Sequence, residues 1–191
     1  MRTALFLFLL GNLILSSSAL YAQFTRDDWR RADEETLRLS PSAFPELPSD
    51  VRQGLESRGC SIPQSYSAGA KKVNVISSKF ISATGRDWAV LCSRQRRSAI
   101  LVFHGDQWKE VEEIAEQPDL QYLQAISGKG RIGYSRELEV AEPSVIRKHF
   151  ISRARTARNI DHDGIEDTFI EKGSVVWYWS GAKWIKLSGA D

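Results

Sequence analysis

From residue 73 to residue 187 the apolar side chains alternate with polar ones or gather in short unbroken runs, and β-branched and aromatic residues dominate them, as in strands. The pattern predicts strands over 73–81, 88–93, 99–104, 108–114, 120–126, 131–140, 168–172, 175–180 and 184–187. Gly105-Asp106 and Gly181-Ala182 mark hairpins, and 143–158 reads equally as strand or helix. Upstream the spacing is different. Over 24–39 a charged, helix-friendly stretch follows the candidate N-cap Thr25 and brings Trp29, Ala32, Thr36 and Leu37 near one face. Pro41, Pro45 and Pro48 interrupt it, then Pro48-Ser49-Asp50 opens a second helix with Val51 and Leu55 one turn apart and Gly59 as its left-handed terminator. Residues 63–70, rich in Ser, Ala and Gly, read as a linker into the strands. The fold class expected is α+β: a mainly antiparallel sheet structure preceded by short N-terminal helices, with 1–22, 23–70 and 71–191 as its successive segments.

Two stretches of the β-rich part match each other. Asp87-Trp88-Ala89-Val90-Leu91, then Ser98 to Gly105, then Trp108 and Val111 run parallel to Asp167-Thr168-Phe169-Ile170-Glu171, then Ser174 to Gly181, then Trp184 and Leu187. Each unit, about 75–114 and 159–188, is a loop ending in Asp followed by a blade-like set of three strands. The middle strand of each is apolar at successive positions, Ala99 to Phe103 in one and Val175 to Trp179 in the other, so both of its faces require cover.

The amino terminus adds a compartment. Arg2, the apolar run from Ala4 to Leu15 and the small residues Ser16 to Ala19 have the layout of a secretory signal, with cleavage after Ala19 or Ala22. A retained anchor is the alternative, but the dense apolar part falls short of the ~20 residues that span a bilayer. The protein is therefore expected to be secreted or periplasmic, with no stable membrane span after cleavage. About 170 of the 191 residues would remain, enough for one domain with a real core. Lys and Arg total 26 against 24 Asp and Glu, so no broad basic field exists to attract nucleic acid. Cys60 and Cys92 are then most simply one disulfide. Two free thiols or a catalytic thiol are the alternatives; the latter wants a cationic neighbourhood, whereas Cys92 ends the apolar run Ala89-Val90-Leu91.

Candidate chemistry concentrates in Asn159-Ile160-Asp161-His162-Asp163-Gly164-Ile165-Glu166-Asp167. Asn159, Asp161, Asp163 and Asp167 place oxygens at the first, third, fifth and ninth positions, Gly164 allows a tight turn at the sixth, and Ile165 offers a carbonyl at the seventh, a donor set suited to calcium. Ile170 stands where an EF-hand needs a bidentate Glu, so the loop is not one. Turn-holding hydrogen bonds from Asp161 and Asp163 are the metal-free alternative. The loop and the strands behind it, over 159–187 and in outline over 75–111, resemble the FG-GAP and VCBS repeats of secreted and cell-surface β-propellers such as those of integrin α-chains. That resemblance implies a calcium-stabilised, non-enzymatic binding or structural module. In the first unit Ser82, Ala83 and Thr84 replace the acidic residues of the pattern, and two units fall short of the 4–8 blades of a closed propeller.

Trp179 and Trp184 are candidate ligand-binding residues, since hairpin tryptophans stack on sugars or peptides when they are not packed in a core. The function expected is thus an exported binding module for a protein or carbohydrate ligand. Alternatives are a secreted hydrolase using the acidic-loop carboxylates, and an inhibitor or assembly partner of another secreted protein. No Gly-x-Ser-x-Gly, His-Glu-x-x-His or phosphate-cradling glycine loop occurs, and His104, His149 and His162 lack metal-ligand spacing.

Overall fold

The structure, a computed structural model, describes residues 24–126, 128–150 and 160–188; the signal-like segment and Asn159 lie outside them. Helix α1 (Arg26–Glu35) begins where the sequence places it: the Thr25 hydroxyl accepts the Asp28 N–H at 3.3 Å while the Asp28 carboxylate accepts the Thr25 N–H at 2.8 Å. Strand β1 (Arg38–Leu39) follows, then α2 (Ser49–Ser57), then β2 (Ile62–Pro63), which pairs back onto β1. Gly59, at φ +68°, ends the α2 region in the left-handed conformation that favours glycine.

The remainder is mainly antiparallel β, as expected of this α+β chain. Strands β3 (Val75–Ser78), β4 (Asp87–Arg94), β5 (Arg97–His104) and β6 (Glu110–Pro118) form one four-stranded meander in chain order. After the hairpin β7 (Leu123–Ile126) and β8 (Arg131–Tyr134), strands β9 (Arg136–Ala141), β10 (Gly164–Phe169), β11 (Gly173–Trp179) and β12 (Trp184–Ser188) form a second. Each matched unit supplies the last three strands of its sheet. Helix α3 (Pro143–Phe150) resolves the first half of the ambiguous segment as helix, and 151–158 lies outside the described residues.

Strand β5 is covered on both faces, which its unbroken apolar run requires. On one side Trp88, Val90, Leu101 and Phe103 meet Phe44, Val51 and Leu55 of the α2 region. On the other, Ala89, Leu91, Ile100 and Val102 meet Leu138 and Ile165 of the second sheet, with Leu123 and Tyr134 of the hairpin. The far face of the second sheet carries Val176 and Tyr178 against Ile146 of α3. A Cβ on Gly164 would come within 2.8 Å of Val176 and 3.0 Å of Ile146, so this glycine sets how closely α3 can approach. The layers are therefore helix, sheet, sheet, helix. Each aliphatic side chain buried between them contributes roughly 1.5–3 kcal/mol.

Several sequence expectations change here. The stretch 131–140 is two strands, because Ser135 leaves the ladder: its N–H donates to the Tyr122 carbonyl at 2.9 Å and its own carbonyl accepts the Ile170 N–H at 2.9 Å. A 3₁₀ turn, Asp119–Tyr122, replaces the start of the expected 120–126 strand. Trp108 sits in a similar turn, Asp106–Trp108, where its indole N–H reaches the Arg86 carbonyl, so β6 starts only at Glu110. The supposed linker over 63–70 is largely pinned down. Gln64 trades both amide ends with the backbone of Val73, and Ser65 and Ser67 donate to Glu137. Asn74 acts as a surrogate peptide between the sheets: its amide donates to the Pro63 and Arg136 carbonyls, and its oxygen accepts the Leu138 N–H at 2.9 Å. A chain that reads as flexible by composition is ordered because those side chains complete backbone groups that the sheets leave open.

Cys60 and Cys92 are disulfide-bonded, 32 residues apart in sequence, and tie the end of α2 to the middle of the first sheet. Closing a loop of that length stabilises by about 3.5 kcal/mol in the chain-entropy model. The Cys60→Ser/Cys92→Ser pair is therefore expected to lose roughly that much in urea unfolding of the oxidised protein, and reducing agent to give a similar drop in the wild type alone.

Candidate functional site

The acidic loop does not stay together. Asp161 is exposed, and its carboxylate hydrogen-bonds Nδ1 of His162 at 2.7 Å, which holds its pKa below the usual carboxylate value. Asp163 turns to the first sheet, accepting the Ser78 hydroxyl while its N–H donates to the Lys79 carbonyl at 2.9 Å. Ile165 is buried within β10, opposite Val140 and Trp177. Asp167 is buried farther along the same strand, and Asn159 lies outside the described residues. Among the described residues, no group of three or more His, Cys, Asp or Glu side chains is arranged to hold a metal ion.

Asp167 belongs to a different constellation, built around Arg136. The guanidinium has 0% exposure and grips both carboxylate oxygens, Nε to Oδ1 at 2.7 Å and Nη2 to Oδ2 at 2.8 Å. Its remaining N–H groups reach the Ser98 carbonyl and hydroxyl at 3.2 and 3.1 Å and the Ala115 carbonyl at 3.1 Å. The Tyr122 ring lies 4.4 Å from the guanidinium carbon. The Ala115 carbonyl is available because β6 bulges there. Ile100 pairs with Ile114 and Ser98 with Gln117, so two residues of β6 oppose one of β5, and Ala115 takes φ +56°. Every polar atom of the guanidinium is thus occupied, the condition under which a buried ion pair holds.

Beside this pair a cleft of about 540 Å³ opens between the β6 edge and the inner face of β10, β11 and β12. Ala115, Gln117, Gln121 and Tyr122 form one wall; Asp167, Phe169, Val175, Trp177, Lys172 and Lys186 are prominent on the other. Lys172 Nζ sits 4.4 Å from the centre of the Phe169 ring and Lys186 Nζ 5.9 Å from that of Trp177. Neither ammonium has a carboxylate in ion-pair range among the described residues. Trp179 and Trp184, the predicted ligand residues, face each other across the β11–β12 hairpin with ring centres 5.6 Å apart. Both are half-buried, Trp184 packs against the inter-sheet core, and neither lines the cleft.

The site residues that sequence reasoning passed over are therefore Trp177, Lys172, Lys186, Gln117, Gln121 and Tyr122. One signal was present: Arg136 falls in phase with Leu138 on the inward face of β9, as Asp167 does with Ile165 on β10, and a charge of each sign in an apolar register calls for a partner. A smaller polar cluster lies at the Asp163 end. Burial pushes the Asp87 carboxyl up, against the pull of the Phe80 and Ile81 N–H groups it accepts at 2.8 and 2.9 Å. Near it His162 stacks on Tyr178 at 4.4 Å.

Removing one partner of the buried pair leaves the other charge unpaired, so Asp167→Asn is expected to cost about 3–5 kcal/mol in chemical unfolding, with the Arg136→Met/Asp167→Leu double variant recovering most of it. Alkaline titration tests the burial of the cleft wall. Desolvation raises the Tyr122 hydroxyl from 10.0 to about 12 and Tyr134 further still. A hydroxyl whose folded pKa is raised supports the fold fully below its unfolded pKa and loses that support as pH climbs to the folded one. The melting temperature is therefore expected to fall between pH 10 and about 12, and less steeply in Tyr122→Phe. No family model matches this chain, nor does any curated protein or solved structure, so the role of the cleft rests on the chemistry of these residues.

Proposed function

We propose that this chain is an exported, non-enzymatic binding module whose ligand lies in the cleft between the β6 edge and β10–β12. The observation that carries this reading is the cleft itself: an aromatic face, two carboxamides and two ammonium groups without carboxylate partners among the described residues, beside the Arg136–Asp167 pair. Binding sites combine apolar surface with a few convergent polar groups in this way. A carboxylate serves as general acid or base only with a free oxygen aimed into the site. Among the described residues the carboxylate lining this cleft, Asp167, has both oxygens committed to Arg136. That favours binding over carboxylate-driven hydrolysis. Export is supported by the signal-like start and by the disulfide.

A thermal-shift screen of saccharides and extracellular peptides, followed by titration of each hit, tests this reading. Hits are expected to bind at least tenfold more weakly to Trp177→Ala and to remain chemically unchanged after prolonged incubation. Hits that bind Trp177→Ala and Lys186→Ala as well as wild type, or turnover that Asp167→Asn abolishes while the fold persists, would overturn it.

A further inference from the structure

Resting on the cleft as the ligand face, we infer that its ligand is an acidic oligosaccharide, a short chain of pyranose rings bearing spaced carboxylates. Charge gives the first argument. Of the ionisable side chains lining the cleft, Asp167 is neutralised by Arg136, which leaves Lys172 and Lys186 as the net charge presented. Glu166 and Glu171 line a smaller hollow that adjoins the cleft and shares Phe169, Lys172, Gly173 and Ser174 with it, so Lys186 is the cation that faces the cleft alone. An anion is the complementary ligand.

Spacing gives the second. Lys186 pairs across the ladder with Trp177, whereas Lys172 precedes Gly173, which pairs with Phe169 at the far end of β11. Lys172 lies in the turn before β11, and four steps of extended chain run from Gly173 to Trp177. At roughly 3.3 Å per step the two lysines are rooted about 13 Å apart along the cleft. An elongated polyanion meets both without either side chain having to reach toward the other. Between them the wall is Val175 and Trp177, faced by the carboxamides of Gln117 and Gln121. Flat aromatic faces take the C–H faces of sugar rings, and carboxamides offer a donor and an acceptor to neighbouring hydroxyls.

An acidic peptide carries spaced carboxylates too, but it gains most by adding a strand to a free sheet edge. Of the two edge strands at this cleft, β6 is broken by its bulge, where the Ala115 carbonyl is turned to Arg136 instead of outward, and β12 is only Trp184–Ser188. The cleft therefore offers a peptide only a short ladder to extend.

The test is calorimetric titration of the mature protein with tri- to hexameric galacturonate, glucuronate and mannuronate, their methyl esters, the corresponding neutral oligosaccharides, hexaglutamate and inorganic phosphate. At least one uronate is expected to bind, its methyl ester about tenfold more weakly, with Lys172→Ala and Lys186→Ala each weakening the uronate by a similar factor. Both lysines lie at the surface of the cleft, and near-UV circular dichroism checks that the variants keep the fold. Equal binding of ester and acid, lost in Trp177→Ala, would overturn the carboxylate inference and leave the cleft standing as a binding site. Hexaglutamate binding without any uronate, or phosphate matching the uronates, would overturn the saccharide and the elongated ligand respectively. Failure of every probe would overturn the inference, and the thermal-shift screen judges the cleft independently.

Discussion

The interior of this protein is arranged around one buried charge. Arg136 enters the space between two sheets, where a guanidinium is tolerated only if all its donors find acceptors. Asp167 supplies two oxygens from the neighbouring strand, Ser98 two more from the facing sheet, and the bulged Ala115 the last. These partners come from β5, β6 and β10, while Arg136 itself stands on β9. The pair thereby fixes the register of the second sheet against the first at the end where the sandwich opens, and it keeps the cleft wall from collapsing inward. The bulge serves the same demand, since it aims the Ala115 carbonyl where a regular ladder would not, whereas the break at Ser135 satisfies backbone groups of Tyr122 and Ile170.

At the other edge the constraint is backbone satisfaction. Asn74 and Gln64 stand in for peptide groups, so that residues 62–74 close the edges of β9 and β2 without a further strand. A second ionic knot holds α1 and β1 to the first sheet: Arg38 bridges Asp33 at 2.6 Å and the fully buried Asp119 at 2.8 Å, while Arg96 reaches Asp33 at 2.8 Å. Side-chain amides and buried ion pairs thus supply, in a chain with few helices, the cohesion that apolar layers give to the centre of the sandwich.

The open side of the second sheet is where function has room. Strand β5 is sealed between α2 and the second sheet, whereas β11 is sealed by α3 on one face and only half-covered on the other. The apolar pattern of the two strands is alike, but the amount of structure available to cover them is not. Trp177 and Phe169 occupy that uncovered half, with the Lys186 ammonium near the first ring and the Lys172 ammonium near the second.

Local sequence determined most of the strand segments, the start of α1, and α2 with its terminator, because those features depend on neighbours within a few residues: Thr25 with Asp28, Val51 with Leu55, Gly59 after its helix. The disulfide was legible for a similar reason, given two cysteines and a signal-like start. The fate of the acidic loop was not. Residues 159–167 carry a spacing that suits an ion, yet Asp163 finds Ser78 and Asp167 finds Arg136, partners 85 and 31 residues away. Spacing fixes which oxygens can converge; only the packing of one sheet on the other decides which cation or hydroxyl reaches each of them first. The cleft follows the same rule, for its walls come from strands whose sequences hold no sign of one another until the Arg136 charge has to be satisfied.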